Sequence, residues 1–121
     1  MSLILYSKSQ TILYISNMNS EVRFYRDILG MKIRYPQGLD DYSEEMWVEF
    51  DLGEHSFALH GGADSQPDDL HEVVFWVENV AHTREMIIAA GIQMNEIRDL
   101  EDGAPIAEGR DPDGHRFAIR S

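Results

Sequence analysis

The second half of the chain repeats the first, and this repeat limits the possible folds more than any other feature. The segment Gln10-Thr-Ile-Leu-Tyr-Ile-Ser-Asn17 aligns with Glu72-Val-Val-Phe-Trp-Val-Glu-Asn79. Further along, His55-Ser-Phe-Ala-Leu-His60 aligns with His115-Arg-Phe-Ala-Ile-Arg120 at nearly the same offset of roughly sixty residues. A repeat this long is one supersecondary unit used twice. Two copies are too few for a solenoid, so they predict a pseudo-symmetric pair of modules with a cavity between or within the halves.

Each copy has the pattern of one strand, one helix and three further strands. Residues 10–16 and 72–77 alternate as strands, and helical spacing then starts at the caps Asn17 and Asn79 and ends at Gly30 and Gly91. In the second helix, the spacing predicts a buried face of Val80, Met86, Ile87 and Ala90. The remaining strands are predicted at 31–35, 46–51 and 55–60 in the first copy, and at 92–97, 105–110 and 115–120 in the second.

Length and composition restrict the class of protein. The 121 residues predict a single domain, 1–121, with modules at about 9–62 and 71–121 and a linker at 61–70. There is no cysteine, so disulfides and thiolate metal sites are excluded. Twenty-two acidic against ten basic residues argue against nucleic acid or an anionic membrane as a partner, and leave neutral or cationic ligands open. No signal peptide is recognisable, so a cytoplasmic protein is expected.

The sequence resembles the vicinal oxygen chelate superfamily, which includes glyoxalase I, bleomycin-resistance proteins, fosfomycin-resistance enzymes and extradiol dioxygenases. The resemblance rests on Phe24-Tyr25-Arg-Asp-Ile-Leu-Gly-Met31, on the paired modules, and on Asp111-Pro-Asp-Gly-His115 before the last strand. It implies an α+β fold of two tandem β-α-β-β-β modules, with curled mixed sheets around a ligand cavity. It also implies a homodimer, for which Leu3–Tyr6 supplies an apolar strand at an interface or sheet edge.

The resemblance further implies four cavity-facing positions that hold a divalent metal in family enzymes. They fall at Gln10, Ala58, Glu72 and Ala118. The two alanines offer no lone pair, and two ligands make a weak site. We therefore predict no metal cofactor, with a divalent metal as the alternative, including a relocated site from Gln10, His60 and Glu72.

The strand alternation that turns the two alanines toward the cavity predicts the rest of its lining. A pocket of aromatic rings with a few polar groups is typical of small-molecule sites. A buried carboxylate such as Glu72 needs a ligand amine, an arginine such as Arg116 or Arg120, or a raised pKa. The predicted ligand-binding residues are Gln10, Tyr14, Trp47, Glu49, His60, Glu72, Trp76 and Arg120. The opposite faces, which include Leu13, Phe57, Leu59, Phe117 and Ile119, are predicted to lie under the helices.

Two functions fit this set of residues. The first is a metal-independent protein that binds a small aromatic or cationic organic molecule. The second is a glyoxalase-like lyase or isomerase in which Glu72 is the catalytic general base, with or without a metal. A purely regulatory or interaction role stays open, as does the alternative that the same side chains only fill the interior of the sheets.

Overall fold

The computed structural model describes residues 3–62, 64 and 67–121. Part of the linker predicted at 61–70 therefore lies outside the described residues. The chain forms two compact units, Met1–Ser65 and Gln66–Ser121, and each contains one copy of the repeat. No helix among the described residues combines the length and the apolar character that crossing a membrane requires.

The first unit is a four-stranded mixed sheet with one helix. The strand order is β1-β4-β3-β2, in which β1 runs parallel to β4 and the other pairs are antiparallel. Its elements are β1 (Ser9–Tyr14), α1 (Met18–Val22), a π-helical segment (Arg23–Ile28), β2 (Lys32–Tyr35), β3 (Trp47–Leu52) and β4 (His55–His60).

The second unit repeats this arrangement with the order β5-β8-β7-β6, and β5 is parallel to β8. The prediction of two β-α-β-β-β modules with mixed sheets is confirmed. Neither sheet closes into a barrel. The elements are β5 (Val73–Trp76), α2 (Val80–Ala89), β6 (Arg98–Asp99), β7 (Pro105–Arg110) and β8 (Arg116–Arg120).

Both helices begin and end where the sequence predicts. The side chain of Asn17 accepts a hydrogen bond from the Ser20 amide at 3.1 Å, and that of Asn79 accepts one from the His82 amide at 2.9 Å. Such side-chain caps satisfy N–H groups that the first helical turn leaves without partners. Gly30 and Gly91 follow the helices with φ of 73° and 96°, a conformation that glycine adopts without steric cost.

The predicted strand phase is confirmed in the first sheet. Phe57 is fully buried and meets the Tyr25 ring of the π-helical segment edge-on, with 4.7 Å between ring centroids. The Phe50 ring of β3 lies beside it at 6.0 Å. Because successive side chains of a strand point to opposite faces, Ala58 lies on the face away from this helix.

The prediction of strand 92–97 is wrong. The ladder has an isolated bridge between Met94 and Gly109 and resumes only at β6. At this gap the Arg84 side chain of α2 donates a hydrogen bond to the Asn95 carbonyl at 2.8 Å. The Asn95 carbonyl thus has a helix side chain as its partner at the point where regular pairing stops.

The buried face of α2 also differs from the prediction. Val80 and Ile87 are buried, but Met86 is 54% exposed and Ala90 is exposed as well. The buried and half-buried positions follow the i, i+3, i+4, i+7 spacing from Val80, and Met86 falls one position away from that stripe.

The apolar segment Leu3–Tyr6 is not a strand in the single chain. The ladder between β1 and β4 begins at Ser9 paired with His55, where β4 itself starts. Residues before Ser9 therefore have no continuation of β4 beside them, and the four side chains of Leu3–Tyr6 are exposed.

Candidate functional site

A polar cluster lies on the sheet face of the first unit that is turned away from the helix. Gln10 of β1 donates its side-chain N–H groups to Ser56 Oγ at 2.8 Å and to Glu49 Oε1 at 3.2 Å. Arg34 of β2 donates to the other carboxylate oxygen of Glu49. The buried carboxylate of Glu49 is thus held by an amide on one side and neutralised by a guanidinium on the other.

The second unit has a corresponding cluster with a different composition. Arg116 of β8 donates to Glu72 Oε2 at 3.2 Å and to Glu108 Oε2 at 3.1 Å. Arg98 of β6 donates to Glu108 Oε1 at 3.0 Å. Two carboxyl groups here share one guanidinium, and a second guanidinium holds only Glu108.

The strand register places the two clusters at equivalent points of the repeat. Glu49 pairs with Ala58 across β3 and β4, and Glu108 pairs with Ala118 across β7 and β8. Both modules therefore carry a glutamate on the strand beside the alanine. The carboxylate that is absent from the last strand of each module is present one strand away.

Glu72 and Glu108 together retain a proton near neutral pH. Burial, followed by a hydrogen bond with Glu108 and the charge of that residue, raises the pKa of Glu72 to about 7, against the opposing effects of Arg116 and Arg98. The same hydrogen bond and the arginines lower the pKa of Glu108. Glu108 is therefore the ionised member, and Glu72 is the proton donor. The prediction that Glu72 has an arginine partner or a raised pKa is confirmed on both counts, and the arginine is Arg116.

We expect the substitution Glu72→Gln to remove a pH dependence of stability. Because the pKa of Glu72 is higher in the folded chain than in the unfolded one, its protonated form contributes stability that is lost as the pH rises through about 7. The lowered pKa of Glu108 acts only at acid pH, where its contribution is lost as the pH falls. Between pH 6 and pH 8 the free energy of unfolding of the parent chain should therefore fall by about 1 kcal/mol more than that of the variant.

Urea denaturation at the two pH values measures this difference. Asp102→Asn serves as the control, because Asp102 is an exposed acid whose pKa is already lowered, chiefly by the backbone N–H of Ala104. Parallel pH profiles for the parent chain and Glu72→Gln would contradict the shared proton.

Aromatic side chains lie on the same faces as the polar clusters. In the first unit the His60 ring stands between Tyr14 and Trp47, with ring centroids 5.0 and 6.1 Å away. The Nδ1–H of His60 donates to the Gly61 carbonyl at 2.9 Å, which fixes the ring. Tyr14 is 56% exposed, so part of this aromatic trio of Tyr14, Trp47 and His60 lies at the surface.

The second unit pairs its aromatic residue with a cation of the chain itself. The Arg120 guanidinium lies over the Trp76 ring, 3.9 Å from its centroid, and also contacts Asp102 at 3.4 Å. Trp76 is nevertheless 69% exposed. A cationic ligand that approaches Trp76 therefore meets an arginine already in place on one side of the ring.

The four positions that the resemblance assigns to a metal hold two alanines and two side chains with other partners. Ala58 and Ala118 are fully buried and carry no donor atom. The Gln10 amide group and the Glu72 carboxyl group are engaged by neighbouring side chains. In residues 3–62, 64 and 67–121, no group of three or more His, Asp or Glu side chains is arranged to hold a metal.

The structure does not bring together two of the ligands of the relocated site. Gln10 pairs with Ser56, and His60 pairs with Tyr14, so their backbones are four residues apart along the paired strands, about 13 Å at the rise of a strand. The Gln10 side chain bonds Ser56 and Glu49, while that of His60 bonds the Gly61 carbonyl.

Sequence reasoning missed three charged residues of the clusters. Glu108 could have been predicted, because the repeat that aligns Ala58 with Ala118 also makes Glu108 the equivalent of Glu49 on the neighbouring strand. Arg34 could not have been predicted, because the register of β2 shifts between Ile33 and Tyr35. Arg98 lies in the strand that the sequence placed at 92–97.

The sequence model of the Glyoxalase/Bleomycin resistance protein/Dioxygenase superfamily matches residues 9–119. The chain belongs to this superfamily. No curated protein sequence matches it. The resemblance seen in the sequence is thereby confirmed, and with it the tandem-module fold.

Solved structures of this fold cover nearly the whole chain. SMU.1112c has a TM-score of 0.78 at 20% identity, over 98% of this chain and 100% of its own. TnmS3, an antibiotic binding protein from Streptomyces sp. CB03234, has a TM-score of 0.77 at 15% identity, covering 98% and 97%. Lactoylglutathione lyase from Agrobacterium tumefaciens has a TM-score of 0.72 at 19% identity, covering 93% and 90%. At such identities the likeness shows a common fold.

Proposed function

We propose that this superfamily member binds a small, planar organic molecule, neutral or cationic, without a metal at the family positions. The observation that carries the proposal is the aromatic trio of the first unit, which is partly exposed on the face turned away from the helix. Rings of this kind bind planar ligands by stacking and cations by their π faces. A relative of the same fold, TnmS3, is an antibiotic binding protein, which supports binding as a role for this scaffold.

The charge arrangement favours binding over metal catalysis. The Glu49 carboxylate is already bonded to Arg34 and Gln10, so its charge is neutralised on the sheet face that carries the trio. The chain as a whole has a net charge of −12, which attracts cations. A planar ligand with one positive group is therefore the best match for the first unit.

We expect Trp47→Ala to weaken the binding of 9-aminoacridine, a planar cation, by roughly five- to thirtyfold, because stacking on one ring contributes about 1–2 kcal/mol. Trp47→Phe keeps a ring and should lose much less. Isothermal titration calorimetry measures both, and acridine serves as the neutral ligand of matched shape. Equal affinity of the parent chain and Trp47→Ala for both ligands, or no binding of either, would overturn the proposal.

A second candidate function follows from the pKa of Glu72. A carboxyl group whose pKa is about 7 is matched to abstract a proton from a carbon acid at neutral pH. The candidate reaction is the isomerisation of a 2-oxoaldehyde–thiol adduct, and a relative of the same fold is a lactoylglutathione lyase. In this role Glu108 holds the charge and Glu72 exchanges the proton.

Turnover assays with and without added divalent metal distinguish the two functions. Under the catalytic hypothesis the rate rises with pH through about 7 as Glu72 loses its proton. Glu72→Gln should then lower the rate roughly 10²–10⁴-fold. The absence of turnover under every metal condition removes this candidate and leaves the binding function.

A further inference from the structure

The second unit contains a groove whose lining includes Glu108 and Arg116 of the polar cluster but none of the predicted ligand-binding residues. Its volume is about 920 Å³, within the range of small-molecule pockets. Its apolar lining consists of Ile88, Ile92 and Met94. Its charged lining consists of Glu108, Arg110 and Arg116.

The groove lies where the sheet is incomplete between α2 and β6. The contact of Arg84 with the Asn95 carbonyl accompanies the gap in the ladder, and residues 91–95 form a border instead of a full strand. Gly109 keeps this border close to β7. A Cβ atom there would lie 2.6 Å from Met94 Sδ and 3.1 Å from the Gln93 carbonyl oxygen.

The charged lining of the groove contains two arginines, Arg110 and Arg116. Arg116 donates to the Asp69 carbonyl at 2.6 Å as well as to the two carboxyl groups of the cluster. Arg110 is paired with the Asp69 carboxylate and donates to the Gly114 carbonyl at 2.9 Å. With Arg98, three guanidinium groups contact the carboxyl groups of Asp69, Glu72 and Glu108, and the pKa of Glu72 is raised to about 7.

We propose that this groove binds an amphipathic monocarboxylate, with its hydrocarbon chain along Ile88, Ile92 and Met94 and its carboxylate on Arg116. A lining that combines apolar side chains with guanidinium groups is complementary to such a ligand, because the hydrocarbon chain buries apolar surface and the carboxylate forms charge-assisted hydrogen bonds. The proposal is independent of the proposed function, since it uses another part of the fold and a ligand of opposite charge.

The bound carboxylate competes with Glu72 for Arg116. Glu72 faces Glu108 on β7, Arg116 on β8 and Arg98 on β6. When the ligand occupies Arg116, Glu72 keeps its proton and remains a hydrogen-bond donor to Glu108. When Glu72 is ionised instead, the guanidinium charge is fully balanced and the ligand is repelled. Binding is therefore accompanied by proton uptake and strengthens as the pH falls from 8 to 6.

Three eight-carbon probes with the same hydrocarbon chain test the proposal: octanoate, octanamide and octylammonium. By isothermal titration calorimetry at pH 6, octanoate should bind at least tenfold more tightly than octanamide, and octylammonium should bind most weakly. At pH 8 the advantage of octanoate should shrink several-fold. Titrations in buffers of different ionisation enthalpy should show proton uptake with octanoate and none with octanamide.

Variants separate the contributions of the apolar and the charged lining residues. Ile88→Gln changes an exposed side chain of α2 and should weaken octanoate and octanamide by the same factor, roughly threefold or more. Arg116→Gln should abolish the preference for octanoate, and Arg116→Lys should restore part of it. Arg23→Gln makes the same change of net charge at an exposed position of the first unit and should leave the preference unchanged.

The proposal fails on any of three results. One is equal affinity for octanoate and octanamide at pH 6, and another is no binding of either. The third is a preference for octanoate that survives in an Arg116→Gln variant whose circular dichroism spectrum shows that it is folded. None of these results bears on the aromatic trio, so failure here is distinguishable from failure of the proposed function.

Discussion

Replacement of Phe57 by alanine is expected to lower the free energy of unfolding by about 3–5 kcal/mol, the range for a large aromatic residue removed from a core. Phe57 is fully buried between Tyr25 and Phe50, and its loss leaves a cavity under the helix of the first unit. Urea denaturation followed by circular dichroism measures the change.

Two further variants make this test specific. Phe57→Leu retains most of the apolar volume and should lose considerably less stability than Phe57→Ala. Tyr14→Ala removes a ring of similar size from the opposite face, where the side chain is mostly exposed, and should cost about 1 kcal/mol or less. Equal losses for Phe57→Ala and Tyr14→Ala would mean that the assignment of the two sheet faces is wrong.

The substitution Ala58→Glu is expected to destabilise the chain by about 3–5 kcal/mol at pH 8, because it places an unpaired charge in a fully buried position. Its cross-strand neighbour is Glu49, whose carboxylate already uses Arg34 and Gln10. Like charges at directly opposite positions of a sheet repel each other. A carboxylate at this position is therefore expected to be unfavourable in this sheet.

Ala58→Gln is the matched control, because it adds nearly the same volume without the charge. The difference in unfolding free energy between the two variants isolates the electrostatic part. That difference should decrease from pH 8 to pH 5, since the introduced carboxyl group becomes protonated as the pH falls. If the two variants are equally stable at pH 8, steric crowding and not charge is the obstacle at this position.

The sequence contained enough information for the modules and for the phase of most strands. Alternation is a local property, and each of Phe57 and Ala58 lies in a run whose pattern is repeated in the second half. Two independent copies had to agree, so an error of one residue in either would have broken the alignment. The helix caps Asn17 and Asn79 were predictable for the same reason, because a cap acts on residues next to it in sequence.

What the sequence did not reveal depends on contacts between distant residues. The gap before β6 coincides with one hydrogen bond from Arg84, which no periodic pattern reports. The pKa of Glu72 was expected to be unusual, but its main charged neighbour, Glu108, lies two strands away in the sheet. Arg34 reaches Glu49 from the irregular part of β2, where a shift in register decides which face a side chain takes.

The difference between the two polar clusters provides each molecule with an internal reference. In the first unit the Gln10 amide donates to Glu49, in the place where protonated Glu72 donates to Glu108 in the second. An amide does not release that proton in the range where a carboxyl group does, so the donor of the first cluster is fixed while the donor of the second exchanges its proton near neutrality. A pH-dependent spectroscopic change at the second cluster that has no counterpart at the equivalent positions of the first is therefore the signature expected of this exchange.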